Sequence, residues 1–181
     1  MDDARSADQL VMDLGVKHRA KVALRALMRL GPDATDALRR GLTSTNPRVR
    51  EGCCIVLDHH LDALAVPELL ANLDHEDARV RRWAMHALAC DRCKEGECRP
   101  GEEDSIPLAI RALFEDPEYH VRTEAAALLG PSAHARPDVI DALRRAHAHD
   151  PHPLVRKVSG WHVPGGPIFE RTTPRRTRMP D

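Results

Sequence analysis

Valine followed by a basic residue recurs along the chain, as Val16-Lys17, Val49-Arg50, Val80-Arg81, Val121-Arg122 and Val155-Arg156, at successive spacings of 33, 31, 41 and 34 residues. Counting each valine as zero, small or apolar side chains return at +4, +7 and +8: Ala20, Ala23 and Leu24, then Cys53, Val56 and Leu57, then Ala84, Ala87 and Leu88, then Ala125, Leu128 and Leu129. That spacing lays a continuous apolar stripe along one helical face, so each phrase is predicted to open an amphipathic helix. Start signals stand just upstream in Asn46-Pro47, Asp77, Asp116-Pro117 and Asp150-Pro151, which offer a capping side chain, a first-turn proline, or both. Second apolar segments lie between these helices, Val66–Leu70, Ile106–Ile110 and Arg136–Ile140, and each reads as a partner helix opened by its own proline. No alternating strand pattern competes. A repeat of this length is the mark of stacked helical hairpins, and the predicted fold is all-α with about five of them.

The residues that carry the pattern most fully, Asp116-Pro117-Glu118-Tyr119-His120-Val121-Arg122 running on to Gly130, resemble the HEAT repeat, in particular the short bacterial HEAT-like or lyase-type kind. The likeness covers roughly residues 10 to 160. It implies a right-handed α-α superhelix whose second helices line a concave face, used mostly to bind other macromolecules. The first unit departs with Lys17 in place of arginine, and the last with Ser159 in place of a small apolar residue. Arg50, Arg81, Arg122 and Arg156 invite two readings. One is a basic ladder for phosphates. The other, which the resemblance favours, is a structural role in which each arginine pairs with an acidic residue in a neighbouring turn.

Composition narrows the class. Aromatic residues are 3% of the chain and hydrophobic ones 42%, so the core is built from Leu, Ala and Val, as in packed helices. With 27 basic and 28 acidic residues the net charge is −1, which argues against a general nucleic-acid binder. The acidic start Met1-Asp2-Asp3-Ala4-Arg5 carries no apolar run of the secretory kind. The longest purely apolar stretches, such as Cys53–Leu57 and Ala125–Leu129, are too short to cross a bilayer. The expectation is a cytoplasmic protein with reduced thiols or a metal site rather than a disulfide framework, since the cysteines number five.

Three of those cysteines sit in the segment that lengthens the 41-residue unit. His86, Cys90, Cys93 and Cys98 have the spacing H-x3-C-x2-C-x4-C. His86 and Cys90 are four apart on one predicted helix face, Cys93 follows where the helix should end, and Gly96 lets the loop turn Cys98 back. Three thiolates and an imidazole suit tetrahedral zinc in a closed, structural site. Surface thiols, a redox dithiol at Cys90/Cys93 and an iron–sulfur cluster are the competing readings. His59 holds the same register position as Cys90 one unit earlier, which makes His59 or His60 an alternative fourth ligand or a partner behind the ligands. Cys53 reads as core, with Cys54 off the stripe. His147, His149 and His152 read as exposed turn histidines.

The expected organisation is a repeat domain over 1–160, with the cysteine insert at 90–103, followed by a Pro/Gly-rich strap and basic tail over 161–181. The strap, Trp161 to Phe169, is predicted to be non-helical and to pack across the end of the last unit. Arg175, Arg176 and Arg178 in the tail are candidates for contact with nucleic acid or an acidic partner. No phosphate loop, nucleophile elbow or H-E-x-x-H motif is present. The expected function is a non-enzymatic protein-interaction scaffold with a structural zinc. A nucleic-acid-binding solenoid, or a lyase or thiol-redox accessory protein, stands as the alternative.

Overall fold

The computed structural model describes residues 5–89 and 102–174, and every regular element among them is helical. The chain divides into two compact units, Met1–Leu108 and Ala109–Asp181.

The first unit contains α1 (Ala7–Leu14), α2 (Ala20–Leu30), α3 (Thr35–Gly41), α4 (Pro47–His59), α5 (Val66–Ala71) and α6 (Ala78–Ala89), joined by 3-10 turns at Gly31–Ala34, Ala63–Ala65 and Asn72–Asp74. Ser6 and Gln9 open α1 with a reciprocal capping box. Asn46 accepts the Arg48 amide and Pro47 takes the first position of α4, as the sequence predicts. Asp77 does the same for α6 through the Arg79 amide at 2.9 Å. Helix α4 packs on α1, α2, α3 and α6. Being flanked on so many sides, it buries Cys54 at +5 as completely as the stripe residues Val49, Cys53, Val56 and Leu57. Val80, Ala84, Ala87 and Leu88 repeat the stripe in α6.

The first repeat departs from expectation. Val16-Lys17 does not itself lie in a helix; the Val16 amide bonds back to Asp13 at the end of α1 and its carbonyl accepts the Arg19 and Ala20 amides, so the pair forms the turn between α1 and α2. No capping side chain or proline precedes Val16, and α2 begins only at Ala20. Ala23 and Leu27 form its buried face, while Ala20 and Leu24 are half-buried.

Helix α7 (Glu102–Glu115) begins four residues before the predicted segment, with Pro107 inside it rather than at its start. Glu102, Glu103 and Asp104 favour a helix N-terminus electrostatically, which carries the start upstream of the proline.

The second unit contains α8 (Tyr119–Leu129), a 3-10 turn Gly130–His134, α9 (Pro137–His149), α10 (Pro153–Trp161) and α11 (Pro167–Thr172). Asp116 and Asp150 do not cap helices directly. Each accepts the amide two residues on, at 2.9 and 2.8 Å, and the helices start at Tyr119 and Pro153. In α8 Val121, Ala125 and Leu129 are buried, with Ala126 taking the depth expected of Leu128.

The strap, contrary to the sequence expectation, is partly helical. Gly165 at φ 85° makes the turn, and Pro167 then serves as a first-turn residue for α11. Phe169 packs on His134 with ring centroids 4.0 Å apart, and His134 Nε2 lies 3.0 Å from Thr172 Oγ1.

His162 and Val163 occupy the +7 and +8 positions of the last repeat and are buried. The His162 ring lies so close over Gly130 that a Cβ there would collide with it. Burial holds the imidazole below its ordinary pKa. The folded chain therefore keeps His162 neutral while the unfolded chain takes a proton near the usual value of about 6.5. The stability this supplies is complete above that pH and is lost as pH falls through it toward the lower folded value. Thermal melts in a pH series are expected to show a steeper acid-side decline for the native protein than for His162→Phe. Equal declines would contradict it.

Candidate functional site

The four repeat arginines share one geometry. Arg50 donates to the Ser44 carbonyl, Arg81 to His75, Arg122 to Asp116 and Arg156 to Asp150, in each case six residues upstream. Arg81, Arg122 and Arg156 also reach the next carbonyl, at 2.9, 3.2 and 3.1 Å. Each guanidinium thus ties its own helix to the turn that precedes it, satisfying carbonyls left open there. Two of them reach further. Arg50 Nη1 donates to Asn72 Oδ1 at 3.0 Å, and Arg122 clasps Asp150 with Nε and Nη2 at 2.8 and 3.1 Å. The Arg122 and Asp150 side chains are only 10% and 6% exposed.

At the insert, the structure describes His86 alone of the four candidate ligands; Cys90, Cys93 and Cys98 lie outside the described residues, as do Arg175, Arg176 and Arg178 of the tail. His86 is partly exposed on α6, with Trp83 edge-on at 5.3 Å. The group that α4 brings toward it is the buried carboxylate of Asp58, 3.6 Å from Nε2. His59 and His60 stand exposed at the end of α4. Among the described residues no three His, Cys, Asp or Glu side chains gather as a metal site.

The remaining chemistry disperses. Burial pushes the Cys54 thiol up to about 12 and raises Cys53 well above its ordinary value, so neither is a nucleophile at neutral pH. His147 meets the Arg156 carbonyl through Nδ1 at 2.8 Å, while His152 caps α10 and stacks on Tyr119 at 3.6 Å. His149 lines a separate cleft of about 270 Å³ beside Phe114 and Arg145.

A larger groove, about 400 Å³, opens in the first unit across α1, α2, α4 and α6. Leu14, Leu24 and Ile55 supply its apolar lining. Lys17, Lys21, Arg48 and Arg79 supply cations, against the single carboxylate of Glu51. Arg79 is held by Asp77, whose carboxyl this hydrogen bond brings down to about 2. Glu51 sits half-buried 3.9 Å from Arg79, and burial raises its pKa despite that neighbour. Sequence reasoning passes over this groove. A signal exists, because Arg48 and Arg79 occupy the same position one before Val49 and Val80, and Lys17 and Lys21 are four apart.

Known proteins agree with this frame. A crystal structure of an engineered protein from a structural-genomics consortium superposes with a TM-score of 0.57 at 20% identity, covering 88% of this chain and 79% of that one. No curated protein matches the chain. The sequence model described as HEAT repeats matches twice, over residues 13–89 and 66–161, overlapping stretches that together take in every Val-basic phrase. The chain belongs to the HEAT-repeat family.

Proposed function

We propose that this chain is a non-enzymatic scaffold that binds a protein partner. The observation that carries the reading is the repeat frame itself. Each repeat arginine is engaged with its own turn, and the two described thiols are buried and protonated, so the interior chemistry serves the stack. What remains for function is the outer surface, including Val22 and Leu64, aliphatic side chains 59% and 58% exposed. Photoreactive residues placed at Val22 and Leu64 should cross-link one and the same protein reproducibly in a native lysate. Empty capture at both positions, together with a measured turnover, would sink the proposal. Salt-sensitive retention of DNA or RNA that disappears on deleting residues 171–181 would replace it with a nucleic-acid-binding reading.

The insert is read as a structural zinc site held by His86, Cys90, Cys93 and Cys98. The Asp58–His86 approach supports it, because metal-binding histidines characteristically turn their second ring nitrogen to a carboxylate. Elemental analysis of tag-free protein is expected to give one zinc per chain, colourless, and lost in Cys93→Ser with a fall in melting temperature. Asp58→Asn is expected to weaken zinc retention about 10- to 100-fold. A metal-free protein overturns the site, and a brown one moves it to iron–sulfur chemistry.

A further inference from the structure

The groove of the first unit has a polarity that the scaffold reading does not explain. Its apolar lining comes from Leu14, Leu24 and Ile55, of which Leu24 and Ile55 remain partly exposed, unlike the Val49 and Leu57 side chains on the inner face of α4. Its rim carries Lys17, Lys21 and Arg48, all exposed, and among the described residues none of the three side chains makes a hydrogen bond or an ion pair within 4.0 Å. Several exposed cations elsewhere in this unit are paired, Arg40 with Asp8 and Arg5 and Arg19 with Asp13, while Arg25 and Arg29 on α2 stand exposed like the three at the rim, and within the groove Arg79 is held by Asp77. In a chain of net charge −1, a cluster of unpaired cations around an apolar floor is a local excess.

We propose that this groove is the docking site for an acidic, leucine-bearing helical segment of the partner protein, its leucines seated on Leu24 and Ile55 and its carboxylates facing Lys17, Lys21 and Arg48. The inference rests on the scaffold reading and names the partner's chemistry. Its basis is charge complementarity around an apolar strip, the arrangement by which an amphipathic helix is taken into a groove. A nucleic acid fits less well, because the groove lining contains no aromatic side chain on which a base would stack. Glu51, the one carboxylate on the lining, opposes an acidic ligand and limits its affinity.

The test uses the full-length chain and a fluorescein-labelled amphipathic peptide with Glu and Asp flanking a leucine stripe, read by anisotropy. Two controls replace its acids by amides or its leucines by serines. The acidic peptide is expected to saturate in the micromolar range, and each control to bind about tenfold more weakly or worse. Lys17→Glu with Lys21→Glu should weaken it about tenfold and leave the thermal melt unchanged, since among the described residues both side chains are exposed and make no hydrogen bond or ion pair. Glu51→Gln should tighten it several-fold. Equal binding of the amide control, no saturation by about 1 mM, or displacement by an oligothymidine of equal charge would each overturn the proposal. If the native protein still cross-links its partner from Val22 while the lysine variants do so equally well, the docking site fails and the scaffold stands. If the native protein captures nothing from Val22 or from Leu64 and shows a measured turnover, the scaffold reading itself fails.

Discussion

Arg122→Ala is expected to destabilise the second unit by about 3–5 kcal/mol, the cost of leaving a buried carboxylate without its partner. The Asp150 side chain is 6% exposed and takes both Arg122 bonds, while its Oδ1 also accepts the His152 amide. Removing the guanidinium strands that charge and reopens the carbonyls of Asp116 and Pro117. Arg122→Lys keeps the charge but not the planar fork, and is expected to fall between the native protein and the alanine variant. The pair Arg122→Met with Asp150→Leu should lose less than the sum of the single changes, because two apolar groups leave no charge buried. Denaturant unfolding checks the series. A phosphate ladder predicts a different ordering, with arginine-to-lysine nearly silent and Arg122→Ala as stable as the native protein. That outcome would make Arg122 a binding residue after all.

The positions of such residues are legible in the sequence, but their partners are not. The +1 arginines follow from the repeat register, and capping by Asn46 and Asp77 follows from ordinary start signals. The bond each arginine makes six residues back depends on how the turn folds, which no periodicity records. Asp116 and Asp150 show the same limit. An aspartate before proline reads as a cap, yet it can equally close a turn and let the helix start later. Pro107 and Pro167 depart from their sequence reading in opposite senses, one placed inside a helix by the acidic turn before it, the other opening a helix in a segment rich in breakers. The groove escapes the sequence for a different reason. Its cations come from α2, α4, α6 and the turn after α1, and only packing shows that the four lie around one apolar strip. Within the candidate metal site the histidine is visible from spacing, whereas Asp58 is hidden because it belongs to the preceding repeat.

Asn72 carries the second large effect. It is 1% exposed, and both polar atoms of its side chain are engaged. Nδ2 donates to the Leu42 carbonyl at 3.1 Å and the Glu68 carbonyl at 2.7 Å, while Oδ1 accepts from Arg50. The amide can face only one way here, since two acceptors lie at one end and a cationic donor at the other. One side chain thereby joins the end of α3, the first turns of α4 and the body of α5. Asn72→Leu keeps the branched shape, with somewhat bulkier ends, but orphans a buried carbonyl and one guanidinium nitrogen, and is expected to destabilise the first unit by about 3 kcal/mol or more. Asn72→Asp is the sharper test. It would convert the Arg50 contact into an ion pair of the Arg122–Asp150 kind, and a count of salt bridges predicts a gain. The geometry predicts a loss comparable to that of leucine, because the second carboxylate oxygen would face the Leu42 and Glu68 carbonyls with no proton to offer either. Lowering the pH should then recover part of that loss, as the introduced carboxyl regains a donor on protonation, whereas the leucine variant should show no such recovery. An aspartate variant as stable as the native protein at neutral pH would mean that the Arg50 contact, not the pair of carbonyl bonds, is what Asn72 supplies.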